Sequence, residues 1–335
     1  MQRPNQTQRG ERVQKIKDSR VFITGGAGFI GSNLVKKLIG ANEVFIFDNL
    51  HRNAMQYILK GAKREPKIFK GDILDYSALN AAMTEADPHY IVHCAAIAGI
   101  DTVAKRPVST LEINMLGTAN TLRAANNLKS LKRIVTFSTS EIFGPHAYNS
   151  NERSASVIGA TGEARWSYAV SKLAGEHLTI AYHSQFGMPG VVLRPFNVYG
   201  PGQVGEGALS TFIQRAINHE EIQIHGDGNQ IRAWCYIEDM CSAVLAGLTH
   251  DGATGKAFNI GNPRAVTTIY GLASTVIRLL ESKSKIRFVR KDYADIELRV
   301  PDPTWARTEM DFAAKYDLEE GIPLTAAFYR EIAKK

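Results

Sequence analysis

Thr24-Gly25-Gly26-Ala27-Gly28-Phe29-Ile30-Gly31 is the stretch whose reading decides the fold. It follows an apolar run, Arg20–Thr24, and opens a helical pattern over residues 29–39, giving strand, tight turn and helix in that order. Gly25 permits the turn, Gly28 leaves the backbone bare for the approach of a pyrophosphate, and Gly31 lets the helix pack closely on the strand. The helix N-terminus then presents N–H groups and the positive end of its dipole to an anion. Glycines also serve ordinary turns. The strand–turn–helix setting, with Phe29 and Ile30 inside it, makes this set a dinucleotide site. The next strand, residues 43–47, runs into Asp48-Asn49. A carboxylate there accepts hydrogen bonds from the adenine ribose hydroxyls and repels a 2′-phosphate, which points to NAD rather than NADP.

Outward from this unit, short apolar runs alternate with longer amphipathic ones. Strands are expected at Arg20–Thr24, 43–47, Lys67–Lys70, 89–93, 133–138 and 190–194, and helices near 29–39, 77–85, 107–128 and Ser167–Phe186. Such alternation implies parallel strands joined by crossover helices. The fold class is therefore α/β, a Rossmann-type doubly wound parallel sheet with a smaller C-terminal substrate lobe. The rhythm loosens after Pro195. This gives a division into a polar tail (1–18), a dinucleotide-binding part (19–195) and a partly interleaved lobe (196–335).

Composition narrows the function classes. The 335 residues are 44% hydrophobic and 22% charged, ordinary for a globular chain. Of the net charge of +7, the first twenty residues carry six basic groups against two acidic ones, leaving +3 for the rest. That is no basic face of the kind a nucleic-acid partner requires. No apolar run is long enough for a membrane helix, and the tail MQRPNQTQRG lacks the apolar stretch of a secretory signal. Three cysteines without a CxxC pair suit reduced thiols in a cytoplasm. Nine scattered histidines form no ligand pattern, so no metal is expected.

The chemistry concentrates in Tyr168-Ala169-Val170-Ser171-Lys172, where a tyrosine and a lysine four apart share one helix face. Such spacing is common by chance. It gains weight downstream of a dinucleotide fingerprint and of Ser138-Thr139-Ser140-Glu141 at a strand end. A neighbouring ammonium and a cationic nicotinamide favour the phenolate of a group that ordinarily titrates near ~10. Tyr168 can then take a proton from a sugar hydroxyl, with Lys172 holding the nicotinamide ribose and a Ser or Thr hydroxyl bonding the same sugar oxygen.

At this point the chain resembles the extended short-chain dehydrogenase/reductase family of NAD-dependent nucleotide-sugar epimerases, dehydratases and decarboxylases, from Arg20 to about Leu324. Further matches are Asn114 with Gly117-Thr118, Arg194-Pro195-Phe196-Asn197-Val198-Tyr199-Gly200-Pro201 and Gly226-Asp227-Gly228-Asn229-Gln230-Ile231-Arg232. The resemblance implies that Asp72 and Ile73 contact adenine and that Ala95 and Ala96 line the cofactor cleft. It adds Asn114 and Ser138 to the cofactor set and Thr139, Ser140 and Glu141 to the catalytic one. Asn197, Arg232 and Arg299 are implied to hold the nucleotide diphosphate, as a guanidinium fork suits phosphate. It also implies a homodimer built on the helices near 107–128 and Ser167–Phe186.

Two places depart from the commonest pattern: Trp234-Cys235, and Arg165-Trp166-Ser167 where relatives usually carry Ser-Pro before the tyrosine. The second bears on the reaction. A Thr-Ser-Glu element with an arginine three residues before the tyrosine resembles UDP-glucuronate decarboxylases, and both features occur here, with Arg165 as the substrate-side cation. The first reading is thus decarboxylation of a UDP-sugar acid after oxidation at C4, with Arg232 and Ser140 offsetting the charge that substrate brings beside Glu141. A UDP-sugar 4-epimerase comes next, then an NDP-sugar 4,6-dehydratase, and last a non-catalytic NAD-binding module.

Overall fold

The computed structural model describes residues 16–290 and 296–334. The polar tail therefore lies, apart from its last three residues, outside the described residues. Seven parallel strands form the main sheet in the order Ala257–Ile260, Gly190–Pro195, Arg133–Phe137, Tyr90–His93, Arg20–Thr24, Glu43–Asp48, Lys67–Lys70. The chain thus starts in the middle, winds outward one way, and then winds the other. This is the doubly wound Rossmann arrangement, whose switch point lies between Arg20–Thr24 and Tyr90–His93.

Burial on both faces explains the near-continuous apolar strands. Val21 and Ile23 enter one core with Val35, Val135 and Val244, while Phe22 between them enters the other with Ile91, Leu122 and Ile134. The expected elements form within a few residues of their expected bounds. Ser167–Phe186 matches at both ends, and the helix expected to reach residue 128 stops at Ala125. Among the described residues no helix is long and apolar enough to cross a membrane.

Three features bring distant residues to the carboxyl ends of these strands. Helices Pro107–Ala125 and Ser167–Phe186 pack against each other, with Gly175 facing Thr118, and Gly117 lets the first of them close on Ile73. Arg194 is locked to Glu176 in a buried bidentate pair (Nε to Oε2 3.0 Å), fixing the Tyr168 helix to its neighbouring strand. A second sheet, Val266–Thr268, Ile231–Ala233, Leu298–Pro301 and His146–Ser150, sets Arg232 and Arg299 side by side in register. His146–Ser150 enters that sheet from the first half of the chain, and Ala257–Ile260 enters the main sheet from the second.

The Arg194–Glu176 pair gives a stability test. Glu176→Ala leaves a guanidinium buried without its carboxylate, a change that costs roughly 3–5 kcal/mol. Urea unfolding should show a loss of that order. A loss below about 1 kcal/mol, the range of exposed pairs, would mean that solvent reaches Arg194.

Candidate active site

The glycine turn is built by contact between backbones. Gly25 has φ +66°, and a Cβ there would lie 2.5 Å from the Ala95 nitrogen. A Cβ on Gly31 would lie 2.6 Å from the Gly26 Cα and against the Gly25 carbonyl. At Gly28, by contrast, the only neighbour is the Gly25 oxygen at 3.3 Å, so this position faces open space. The helix Phe29–Leu38 has no side-chain cap and no acidic residue in its first turn, leaving its N–H groups for an anion. Phe29 and Ile30 are half-buried and pack on the core below.

Asp48 closes one side. Its Oδ2 accepts from the Ala27 nitrogen at 3.0 Å and its Oδ1 from the Leu50 nitrogen at 2.7 Å, so the carboxylate meant for a ribose also braces the turn. Burial raises its pKa, and the two backbone bonds oppose that. Asn49 and Asp72 each accept a backbone N–H two residues on, from His51 and Leu74. Ile73 is buried beneath, while Ala96 is exposed next to half-buried Ala95. These residues fit a dinucleotide: a bare glycine position, an uncapped helix start and a carboxylate at the second strand's end meet at the switch point. Asn114 has a different placement from the one implied. It is buried, donates to the Ile97 oxygen and the Ser171 hydroxyl (both 3.0 Å) and accepts from the Ile97 nitrogen at 2.8 Å. Its side chain ties the 95–99 loop to the Tyr168 helix.

The Tyr–Lys helix meets the strand end Ser138–Glu141 here. Tyr168 is half-buried, with a hydrogen bond to Thr139. Its pKa is raised by burial first and by Glu141 next, against the opposing pull of Arg299 and Thr139. Burial and Glu141, rather than Lys172, therefore set the direction of the tyrosine's shift. Lys172 is itself buried, which brings its pKa down to about 8, and it lies near Cys94, whose thiol burial pushes up to about 12. Ser138 and Ser140 are buried, and Thr139 accepts from the Glu141 nitrogen at 3.2 Å.

Glu141 sits between two guanidiniums, Arg165 (Nη1 to Oε2 3.0 Å) and Arg299 (Nη1 to Oε1 3.6 Å). Arg165 and Arg299 thus both face the Glu141 carboxylate. Arg232 donates to the carbonyls of Ile231 and Ile296 and is the strand neighbour of Arg299. Asn197, at φ +38°, donates to the Ala233 oxygen at 2.8 Å and so pins the segment that follows Arg232. Trp166 explains its own departure from the usual pattern. Arg165 lies over its ring at 5.4 Å, and its Nε1 donates to Glu163 at 2.7 Å, so the indole is a platform for the arginine.

Reasoning from sequence passed over the support beneath this site. His93 is buried and bonded to Thr24 (2.7 Å), Thr118 (3.0 Å) and Thr121 (3.2 Å), and burial lowers its pKa to about 3. A neutral ring there spares Lys172 a second buried cation. Only the threonines' helical spacing, 118 and 121, could have hinted at it. Glu206 and Arg52, which meet at Thr102, lie in no motif at all.

A dinucleotide cleft on a doubly wound sheet, with a tyrosine and lysine on one helix face and a hydroxyl beside them, defines a nicotinamide-dependent oxidoreductase-type enzyme. The family model "NAD dependent epimerase/dehydratase family" matches residues 21–261. The chain is 32% identical, over 93% of its length and 98% of the relative's, to a UDP-N-acetyl-alpha-D-glucosaminuronate decarboxylase of Bacillus cytotoxicus. In structure it is similar to an epimerase of Methanothermobacter thermautotrophicus (TM-score 0.86, 28% identity, covering 95% and 94% of the two chains). It is also similar to a UDP-glucuronic acid 4-epimerase of Bacillus cereus, solved with UDP-glucuronic acid and NAD (TM-score 0.84, 26% identity, covering 93% and 99%). The chain belongs to the NAD-dependent epimerase/dehydratase family.

Two predictions follow from the geometry. NAD should bind at least about tenfold more tightly than NADP, a difference of about 1.4 kcal/mol, and calorimetric affinities within threefold of each other would contradict the reading of Asp48. Asp48→Ala with Asn49→Arg should narrow the gap, and it should also lower the Tm, because the same carboxylate holds Ala27 and Leu50.

Lys172 offers a test of sign. Its pKa in the fold, about 8, is below the ordinary 10.5, so burying the ammonium destabilises the empty protein below about pH 8. That cost is relieved as pH rises from 8 towards 10.5, where the unfolded chain holds the extra proton. Lys172→Met should therefore raise the cofactor-free Tm at pH 7 while abolishing turnover, with the gap to wild type shrinking by pH 10. A variant less stable than wild type at pH 7 would show that the lysine's contacts outweigh its desolvation.

Proposed function

We propose that the protein is an NAD-dependent decarboxylase of a UDP-linked uronic acid, with UDP-glucuronate the first substrate to test. One observation carries this reading: Glu141 beside Tyr168 is matched by two guanidiniums, and a third, Arg232, is the strand neighbour of Arg299. Guanidiniums gathered at this point suit a substrate that brings a carboxylate of its own as well as a diphosphate. The decarboxylase relative at 32% identity supports the same choice.

Tyr168 removes the C4 hydroxyl proton, with Thr139 bonded to it and Ser138 and Ser140 close in sequence to bond the same oxygen. NAD held in the cleft would supply the acceptor for the C4 hydride and the donor that returns it. Lys172 holds the nicotinamide ribose, and its charge, with that of the cofactor, offsets the burial that keeps the phenol neutral in the empty cleft. The 4-keto acid then loses CO2 as its C5–C6 bond breaks; the electron pair passes to the ketone oxygen as an enolate, which returns to the ketone as C5 takes one proton from water. Arg165, held on Trp166, positions the leaving carboxylate. The proposed diphosphate contacts are Asn197, Arg232 and Arg299. A dehydratase, in which Glu141 would accept the C5 proton, is the third reading. A 4-epimerase is the second reading, favoured by the relative solved with UDP-glucuronic acid.

We place the protein in a reducing compartment, which suits its three free cysteines. A homodimer is proposed through helices Pro107–Ala125 and Ser167–Phe186, which expose Val108 (65%), Leu116 (53%) and Phe186 (55%).

Incubation of enzyme, NAD and UDP-glucuronate should yield CO2 and a UDP-pentose by mass spectrometry. Tyr168→Phe should lower kcat by at least about a hundredfold with little change in NAD affinity, as expected for a group acting in the transition state. Glu141→Gln should slow CO2 release. A C4-inverted sugar of unchanged mass, or a product lighter by one water, would refute decarboxylation and leave the family assignment untouched.

A further inference from the structure

Three segments converge beside the switch point: the loop after Asp48, the loop 94–102 after His93, and the segment 200–207 that leads into helix Ala208–Ile217 of the lobe. All three meet at Thr102. From the lobe, Glu206 Oε2 accepts from the Asp101 nitrogen at 2.7 Å, and its Oε1 accepts from the Thr102 nitrogen at 2.9 Å and the Thr102 hydroxyl at 2.5 Å. From the Asp48 loop, Arg52 donates to the same hydroxyl at 3.1 Å and to the Ala98 oxygen at 3.0 Å. One carboxylate and one guanidinium, from segments more than a hundred residues apart, thus close on a single threonine.

The surroundings fit a joint that closes tightly. Gly99, at φ +111°, lies so near Glu206 that a Cβ would meet the carboxylate at 2.8 Å. Gly205 lies against the Arg52 guanidinium, and Gly202 against Ile58 and Asn33. Asn33, on the helix that opens the glycine turn, also donates to the Pro201 oxygen at 3.0 Å. The lobe segment therefore lies along the first helix and the Asp48 loop, and its far end is fastened to the 98–102 loop by Glu206. Glu206, Arg52 and Thr102 are only half-buried, so water can compete for these bonds and the joint can open.

We infer that Glu206 is a clasp that gates the entry and exit of the dinucleotide, by fastening the lobe segment to the 98–102 loop across the mouth of the cofactor cleft. Glu206 is a positioning residue: it acts through Thr102 and Asp101 and touches no reacting atom. Its neighbour in the clasp, Arg52, stands four residues after Asp48, where a cation would suit a 2′-phosphate, but its guanidinium is committed to Thr102 and Ala98. The inference rests on NAD dependence and is independent of which reaction follows at C4.

The test is stopped-flow exchange on the full-length enzyme. Protein loaded with NADH is chased with excess NAD, and the loss of NADH fluorescence gives the exit rate; mixing cofactor-free protein with NADH gives the entry rate. For Glu206→Ala both rates should rise by about tenfold or more, the effect of losing charge-assisted bonds of ordinary strength. The dissociation constant should move less than either rate. Thr102→Val, which keeps the backbone bonds but removes the shared hydroxyl, should raise both rates less, and Thr102→Ser should restore them. Thr102→Val also keeps the question measurable if Glu206→Ala fails to fold. Unchanged rates would overturn the inference. So would a rise in exit alone, which would make Glu206 a contributor to affinity rather than a gate.

Discussion

Everything in this enzyme depends on two stretches of backbone lying closer than any side chain would allow. The glycine turn after the first strand touches the chain after the fourth, and the opening helix rests on the turn itself, with no room for a Cβ at Gly25 or Gly31. That contact brings the first helix's free N–H groups, Asp48 and the Ala95 loop to one point. Asp48 strengthens the dependence, since its carboxylate holds the turn before it can hold a ribose. Recognition and architecture use the same atoms, so the cofactor site cannot be retuned without disturbing the fold that carries it.

Charge is organised around the same opening by burial. Lys172 is brought down, Cys94 and Tyr168 are pushed up, and His93, ringed by threonines, is kept neutral by burial and by Lys172. A knot of full charges, Arg165–Glu141–Arg299, joins the Tyr168 region to the lobe, because Arg299 arrives on the second sheet beside Arg232. Catalytic electrostatics thus depend on both parts of the chain being in contact.

What could be read in the sequence was whatever local rules govern. The glycine spacing, the Tyr168–Lys172 pair and the strand–helix rhythm each lie within a window of about ten residues, where period and turn chemistry suffice. The Ser167–Phe186 helix, with Gly187 in the left-handed conformation at its end, came out at its full length for that reason. The partnerships of Glu141 did not, because they join residues 24 and 158 positions away and nothing in spacing selects Arg165 and Arg299. Asn114 shows the same limit: its type and place are visible, but its side chain serves the Ile97 loop and Ser171. The His93 cage and the Glu206 joint lay in no motif, since bonds across 25 to 105 residues leave no trace in local pattern.

The strand exchange between the two sheets has a consequence for how this chain can be cut. Gly190–Pro195 is covered on its outer side by Ala257–Ile260, and the second sheet borrows His146–Ser150 from the first half. A fragment ending near Pro195 would bare one side of an apolar strand, with its row of unmatched N–H and C=O groups open to another copy. The complementary fragment would lack an outer strand of its own sheet. Neither piece is a self-sufficient module, so fusions and chimaeras built from this enzyme must keep both crossings within one continuous polypeptide.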